Sequence, residues 1–100
     1  MGKENIIDYN LDVETLGTYH LDKPLLVRKN HNLYTLHYKD YGDHEHIFLR
    51  DVNFGEIVKI INIYNHNNLD EGYREFNSLN LEVLEYGEWN NDKRNETSSL

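Results

Sequence analysis

The chain has 100 residues, with 10 Lys and Arg against 18 Asp and Glu, a formal net charge of −8 at pH 7 and no cysteine. That length holds one domain with a small core, and the missing cysteines exclude disulfides, thiolate zinc sites and thiol nucleophiles. An acidic balance lacks the cations that displace counterions from phosphates, so direct nucleic-acid binding is disfavoured; the plain reading of the acidity is solubility, and the sharper one is a partner with a basic surface.

The opening segment, MGKENIIDYN, lacks the apolar run of a secretory signal. No stretch approaches the ~20 apolar residues of a membrane span, and a cytoplasmic location is expected. Ile7, Tyr9, Leu11 and Val13 alternate with polar residues as in a strand, while Asp12 and Glu14 equally start a helical turn through Leu16. Gly17 and then Asp22-Lys23-Pro24 punctuate the chain. A β-meander is expected over residues 25–50, from Leu25 to Arg28, Leu33 to Tyr38 and His46 to Arg50, with turns at Lys29-Asn30-His31-Asn32 and around Tyr41-Gly42. Placing Leu25 and Val27 opposite Leu36 and Tyr34, and those two opposite Ile47 and Leu49, puts the apolar side chains on one face.

The stretch Leu49 to Asn65 then reads as the principal amphipathic helix, about 53–65. Asn53 serves as N-cap, Glu56 closes a capping box, and Val52 with Ile57 makes a hydrophobic staple. Phe54, Ile57, Val58, Ile61 and Tyr64 recur at helical spacing, widened by Ile60 and Ile63. Asn65 to Asn68 is a polar stop. Leu69, Tyr73 and Phe76 suggest a short second helix or turn, capped by Asn68 with Glu71 and weakened by Gly72. Leu79, Leu81 and Val83 alternate with Asn80 and Glu82 as a last strand to about Tyr86. The expected fold is α+β, one compact domain over 1–89 with a helix on one face of a small antiparallel sheet. The polar segment 90–100 is expected to be disordered.

Three histidines, His37, His44 and His46, are weak candidates for a metal site with Asp40 and Asp43, or for a pH-responsive patch, because imidazoles in an HxH step point one way. Their spacing completes no metal motif, and surface histidines are the plainer reading. Paired carboxylates, a serine triad and a glycine-rich phosphate loop all lack an anchor, so neither catalysis nor a cofactor is expected. Tyr34 and Tyr64 read as core. Tyr38, Tyr41, Tyr73, Tyr86 and Trp89 suit an interface, and with Glu71, Glu75, Glu82, Glu85 and Glu88 they make the expected partner-binding set for an arginine-rich surface.

Richness in Asn, Ile and Tyr points to an AT-rich coding source such as a low-GC bacterium or its phage. The expectation is a small acidic inhibitor, monomer or homodimer, that occupies the basic surface of a nuclease or nucleoprotein. In size and acidity it looks like phage-encoded anti-defence proteins (anti-CRISPR or anti-restriction), some of them DNA mimics. An immunity or antitoxin-type protein against a basic toxin is the alternative, and a histidine-based metal-binding or pH-responsive protein is a further one.

Overall fold

Turn chemistry and β-branching, more than helical periodicity, set this fold. The computed structural model describes residues 6–19, 21 and 23–85. Its elements run β1 (Asp8–Leu11), α1 (Val13–Leu16), β2 (Leu25–Lys29), β3 (Asn32–Asp40), β4 (Glu45–Asp51), β5 (Ile57–Ile63), α2 (Glu71–Asn77) and β6 (Leu81–Glu85). The six strands form one antiparallel sheet in the order β1-β6-β2-β3-β4-β5. Among the described residues, no helix is long and apolar enough to cross a membrane.

The expected helix over about 53–65 is a turn and a strand. Asp51 Oδ1 accepts from the amides of Asn53 at 2.7 Å and Phe54 at 3.0 Å, which folds the chain back before a helix can start. Gly55 then takes φ +74°, a left-handed conformation that ends any helical run. Phe54, assigned to the apolar stripe, projects from this turn 79% exposed. Five of the seven residues of β5 are β-branched, and such side chains lose rotamer freedom in a helix but pack well on a pleat. Ile61 and Ile63 are buried, whereas Val58 and Ile60, on the other parity of the alternation, are exposed. Period two therefore prevails over the 3.6 reading, and among the described residues the helices on the sheet are the two short ones, α1 and α2.

The meander itself forms. Leu25 pairs with Leu36 and Val27 with Tyr34, as the pattern predicts. Between β3 and β4 the register is two residues away from the expectation: Leu36 pairs with Leu49 and Tyr38 with Ile47. The tight turn after Asp40, closed by Tyr41 N donating to His44 O at 2.9 Å, sets that offset. A slip of two preserves the faces. Both readings of the N-terminal stretch are realised, β1 first and then α1, whose N-cap Asp12 accepts from Thr15 N at 2.8 Å. In α2 the cap is Asp70 rather than Asn68.

One core results. Val13 and Leu16 of α1 and Tyr73 and Phe76 of α2 pack with Leu11, Leu25, Val27, Leu36, Ile47, Leu49, Ile61, Ile63, Leu81 and Val83 from a single face of the sheet. Asn77 Oδ1 accepts from Val13 N at 2.8 Å and ties the two helices together. The last strand lies inside the sheet, paired with β1 on one side and β2 on the other, so it offers no edge for a second chain. The expected tail over 90–100, together with Tyr86, Glu88 and Trp89, lies outside the described residues.

Candidate functional site

The helix-bearing side of the sheet carries carboxylates from four separate elements, those of the β3–β4 turn, β4 and α1 near one end and those of α2 farther along β5. Asp40 and Asp43 sit in the β3–β4 turn, where Asp40 Oδ1 accepts from Gly42 N at 2.9 Å and Gly42 supplies the φ of +97°. Glu45 opens β4. Glu14 comes from α1, and Glu71 and Glu75 from the exposed side of α2. His66, in the loop after β5, lies between two of these: Nε2 is 3.3 Å from Glu14 Oε2 and Nδ1 is 3.5 Å from Glu45 Oε2. Its ring meets the ring of Tyr73 edge-on at 5.2 Å.

A shallow cleft of about 150 Å³ between the β3–β4 turn and this loop is lined by Asp40, Asp43, His44, Glu45, Tyr64 and His66. The His44 ring stacks between Tyr41 at 5.0 Å and Tyr64 at 5.5 Å. Its Nδ1 lies 2.9 Å from Asp43 Oδ1, and that hydrogen bond, with the charge of His44, holds the Asp43 carboxyl below its ordinary range. Burial, reinforced by the Glu45 and Asp40 carboxylates, pushes the Tyr38 hydroxyl up to about 12. The Tyr73 hydroxyl donates to Glu14 Oε2 at 2.7 Å, which raises its pKa and fixes the carboxylate. The rim is thus a set of positioned acceptors. Asp43 and Glu14 remain largely exposed, with side-chain exposures of 88% and 65%, open to guanidinium or ammonium groups.

The expected partner-binding residues divide between the two sides of the sheet. Glu71 and Glu75 belong to the helix side, with Glu75 Oε2 2.6 Å from Lys59 Nζ. Glu82 alternates with the buried Leu81 and Val83 and so stands on the opposite, bare face. There Arg28 donates to its Oε1 through Nε at 2.8 Å and Nη2 at 2.7 Å. This pair joins neighbouring strands and is about three-quarters buried, so a double-mutant cycle over Arg28→Ala and Glu82→Ala, read by urea unfolding, should give a coupling of about 1 kcal/mol. Glu85, at the end of β6, pairs with Leu26. Tyr41 is exposed at the turn, Tyr38 is half-buried against the core, and Tyr73 is only 7% exposed and belongs to the core. Tyr64, read as core, is 64% exposed; its strand position lies just past the last buried residue, Ile63.

The three histidines do not converge. In the observed register Phe48 stands opposite His37, and Lys39 stands opposite His46. His37 stacks on Phe48 with ring centroids 4.3 Å apart, while His46 meets that ring edge-on and its Nδ1 lies 2.9 Å from Asn62 Oδ1. Burial, helped by the Arg50 charge, lowers the His37 pKa. Among the described residues no group of three or more His, Asp or Glu is arranged to hold a metal ion.

The sequence reading missed Glu14, Glu45 and His66 as members of one surface. Glu14 and His66 are joined only by the fold, and the one local signal was the run of polar residues after β5. Comparison with known protein families, curated proteins and solved structures found no match.

Proposed function

We propose that this chain is a small acidic binding protein, without catalytic activity, that occupies a basic, nucleic-acid-binding surface of a cytoplasmic protein in the manner of phage-type anti-defence inhibitors. The observation that supports this reading is the collection of Asp40, Asp43, Glu14, Glu45, Glu71 and Glu75 on one side of a chain carrying −8. Side chains pre-positioned by His66, Tyr73 and the β3–β4 turn lose less freedom on meeting a partner. The acceptors follow a turn, two helices and a strand start, so they do not repeat as phosphates do along one nucleic-acid strand. Complementarity to a basic protein surface therefore fits them better than regular DNA mimicry. A basic toxin would present the same chemistry as a nuclease, and the identity of the captured protein separates the two.

The test compares the intact chain with a variant carrying Asp40→Lys, Asp43→Lys and Glu71→Lys, each immobilised and exposed to lysate of a low-GC bacterium at low and moderate salt. The native chain should retain a basic nucleic-acid-binding protein that salt releases, and the variant should bind it at least about tenfold more weakly, a difference of ~1.4 kcal/mol. Glu82→Gln, on the other face, should leave capture intact. Equal retention by the native and reversed chains would refute the assigned surface, and so would retention of no basic protein.

A further inference from the structure

The sheet has two edges, and they are built differently. β1 is four residues long and largely polar, the kind of edge that discourages pairing. β5 is seven residues long and contains neither a carboxylate nor a proline. The fold covers only its second half. Tyr64 N donates to Asp70 Oδ2 at 2.8 Å, and the Asn62 carbonyl lies against Gly72 of α2. A strand residue sends its N–H and C=O to the same side and the next residue sends its pair to the other. Ile60 therefore shares the outward direction of Asn62 and Tyr64. Val58 falls at the bulge where the register shifts between Leu49 and Arg50, and by alternation with Lys59 its backbone groups also point outward. Around these two backbones the side chains are apolar and open, with Ile57 46%, Val58 52% and Ile60 56% exposed.

We propose that this edge is a homodimer interface, with β5 pairing antiparallel to β5 of a second copy across a two-fold axis at Lys59. An axis there sets Val58 opposite Ile60 of the second copy, and Ile60 opposite its Val58, so the free backbone groups of each chain meet those of the other. The charges also match themselves. Lys59 Nζ lies 2.6 Å from Glu75 Oε2 in each chain, and two copies bring the four groups together as an alternating quartet. A chain of net charge −8 meets its own copy most readily where its edge strand has no acid. The cover that begins at Asn62 ends the ladder on both sides of the axis, so the pairing closes as a dimer and does not extend into a fibre.

Sedimentation equilibrium of the intact chain over a dilution series should show a dimer that dissociates on dilution. The sequence contains no cysteine, so Lys59→Cys carries a single thiol facing its counterpart across the axis. Opposed residues of a non-hydrogen-bonded antiparallel pair lie with Cα atoms about 4.5 Å apart, within disulfide range. Mild oxidation should link Lys59→Cys into a covalent dimer and leave Asn10→Cys, on the β1 edge, unlinked. A second pair of variants tests the quartet: Lys59→Glu should weaken the dimer, and adding Glu75→Lys should restore it. A monomer at every concentration, or a dimer in which Lys59→Cys stays unlinked, would overturn the proposal.

Discussion

Gly72→Ala should destabilise the protein by about 3 kcal/mol, the upper end of overpacking costs, and lower its melting temperature by more than about 10 °C. In an exposed helix the same change ordinarily gains about 1 kcal/mol, so the sign itself is diagnostic. A Cβ at Gly72 would overlap the Asn62 carbonyl oxygen and lie 3.0 Å from its carbon and 3.1 Å from Ile61 Cγ2. Two of those atoms are backbone of β5, held in the ladder with β4, and α2 would have to lift away from the sheet. Lifting α2 unseats Tyr73 and Phe76 from the core. Gly17→Ala is the control: its Cβ would meet only carbonyl oxygens at 3.6 Å, with φ of −66°. Urea unfolding should show a lower midpoint at unchanged slope for Gly72→Ala and no loss for Gly17→Ala.

Asp70→Ala should cost about 3–5 kcal/mol, because one carboxylate satisfies three backbone amides at the junction of β5 and α2. Oδ2 accepts from Tyr64 N and Asn65 N, both at 2.8 Å, and Oδ1 accepts from Tyr73 N at 3.0 Å. The residue is 7% exposed, so water replaces few of these bonds once they are lost. Burial alone would raise its pKa, but the amides of Tyr73, Asn65, Tyr64 and Gly72 together outweigh that and hold it below the ordinary 3.8. The unfolded chain therefore takes up the proton more readily than the folded one. Asp70 contributes its full stability above pH 3.8, and that contribution drains away as the pH falls below it through the folded value. Asp70→Asn keeps the shape and loses the charge. Its deficit against the native chain, read from urea midpoints, should be constant near neutrality and shrink in acid. A deficit that stays the same down to low pH would show that charge has no part in the cap.

The meander from Leu25 to Asp51, the second helix and the last strand were legible because each combines a local period with a turn signal. The segment after it was not. Ile57, Ile60, Ile61 and Tyr64 satisfy helical spacing, and Asn53 with Glu56 imitates a capping box, while the strand leaves Ile57, Val58 and Ile60 exposed and so hides its own alternation. Gly55 and the β-branched run carried the opposing information. Register between β3 and β4 was readable only to within two residues: parity is fixed by the pattern, but the offset is fixed by the turn at Tyr41-His44. That offset decided the fate of the histidines, since it sets Phe48 opposite His37. The acidic surface was half legible. Glu71 and Glu75 follow from the helix, but Glu82 is drawn to Arg28 on the other face, and Glu14 reaches Glu45 only through His66.

The position of β6 between β1 and β2 also orders events in time. The four strands β2 to β5 follow one another in sequence and in space, so their hairpins close short loops and can assemble early. Among the described residues β1, the first strand to leave the ribosome, finds its one sheet neighbour in β6, the last of them. Until Leu81–Glu85 has emerged, the N-terminal strand has nothing to pair with and the outer side of β2 stands open. A nascent or C-terminally clipped chain therefore leaves both sides of β1 and the outer side of β2 open, where the finished protein leaves only the short outer edge of β1, and chaperones and proteases would meet it in that form.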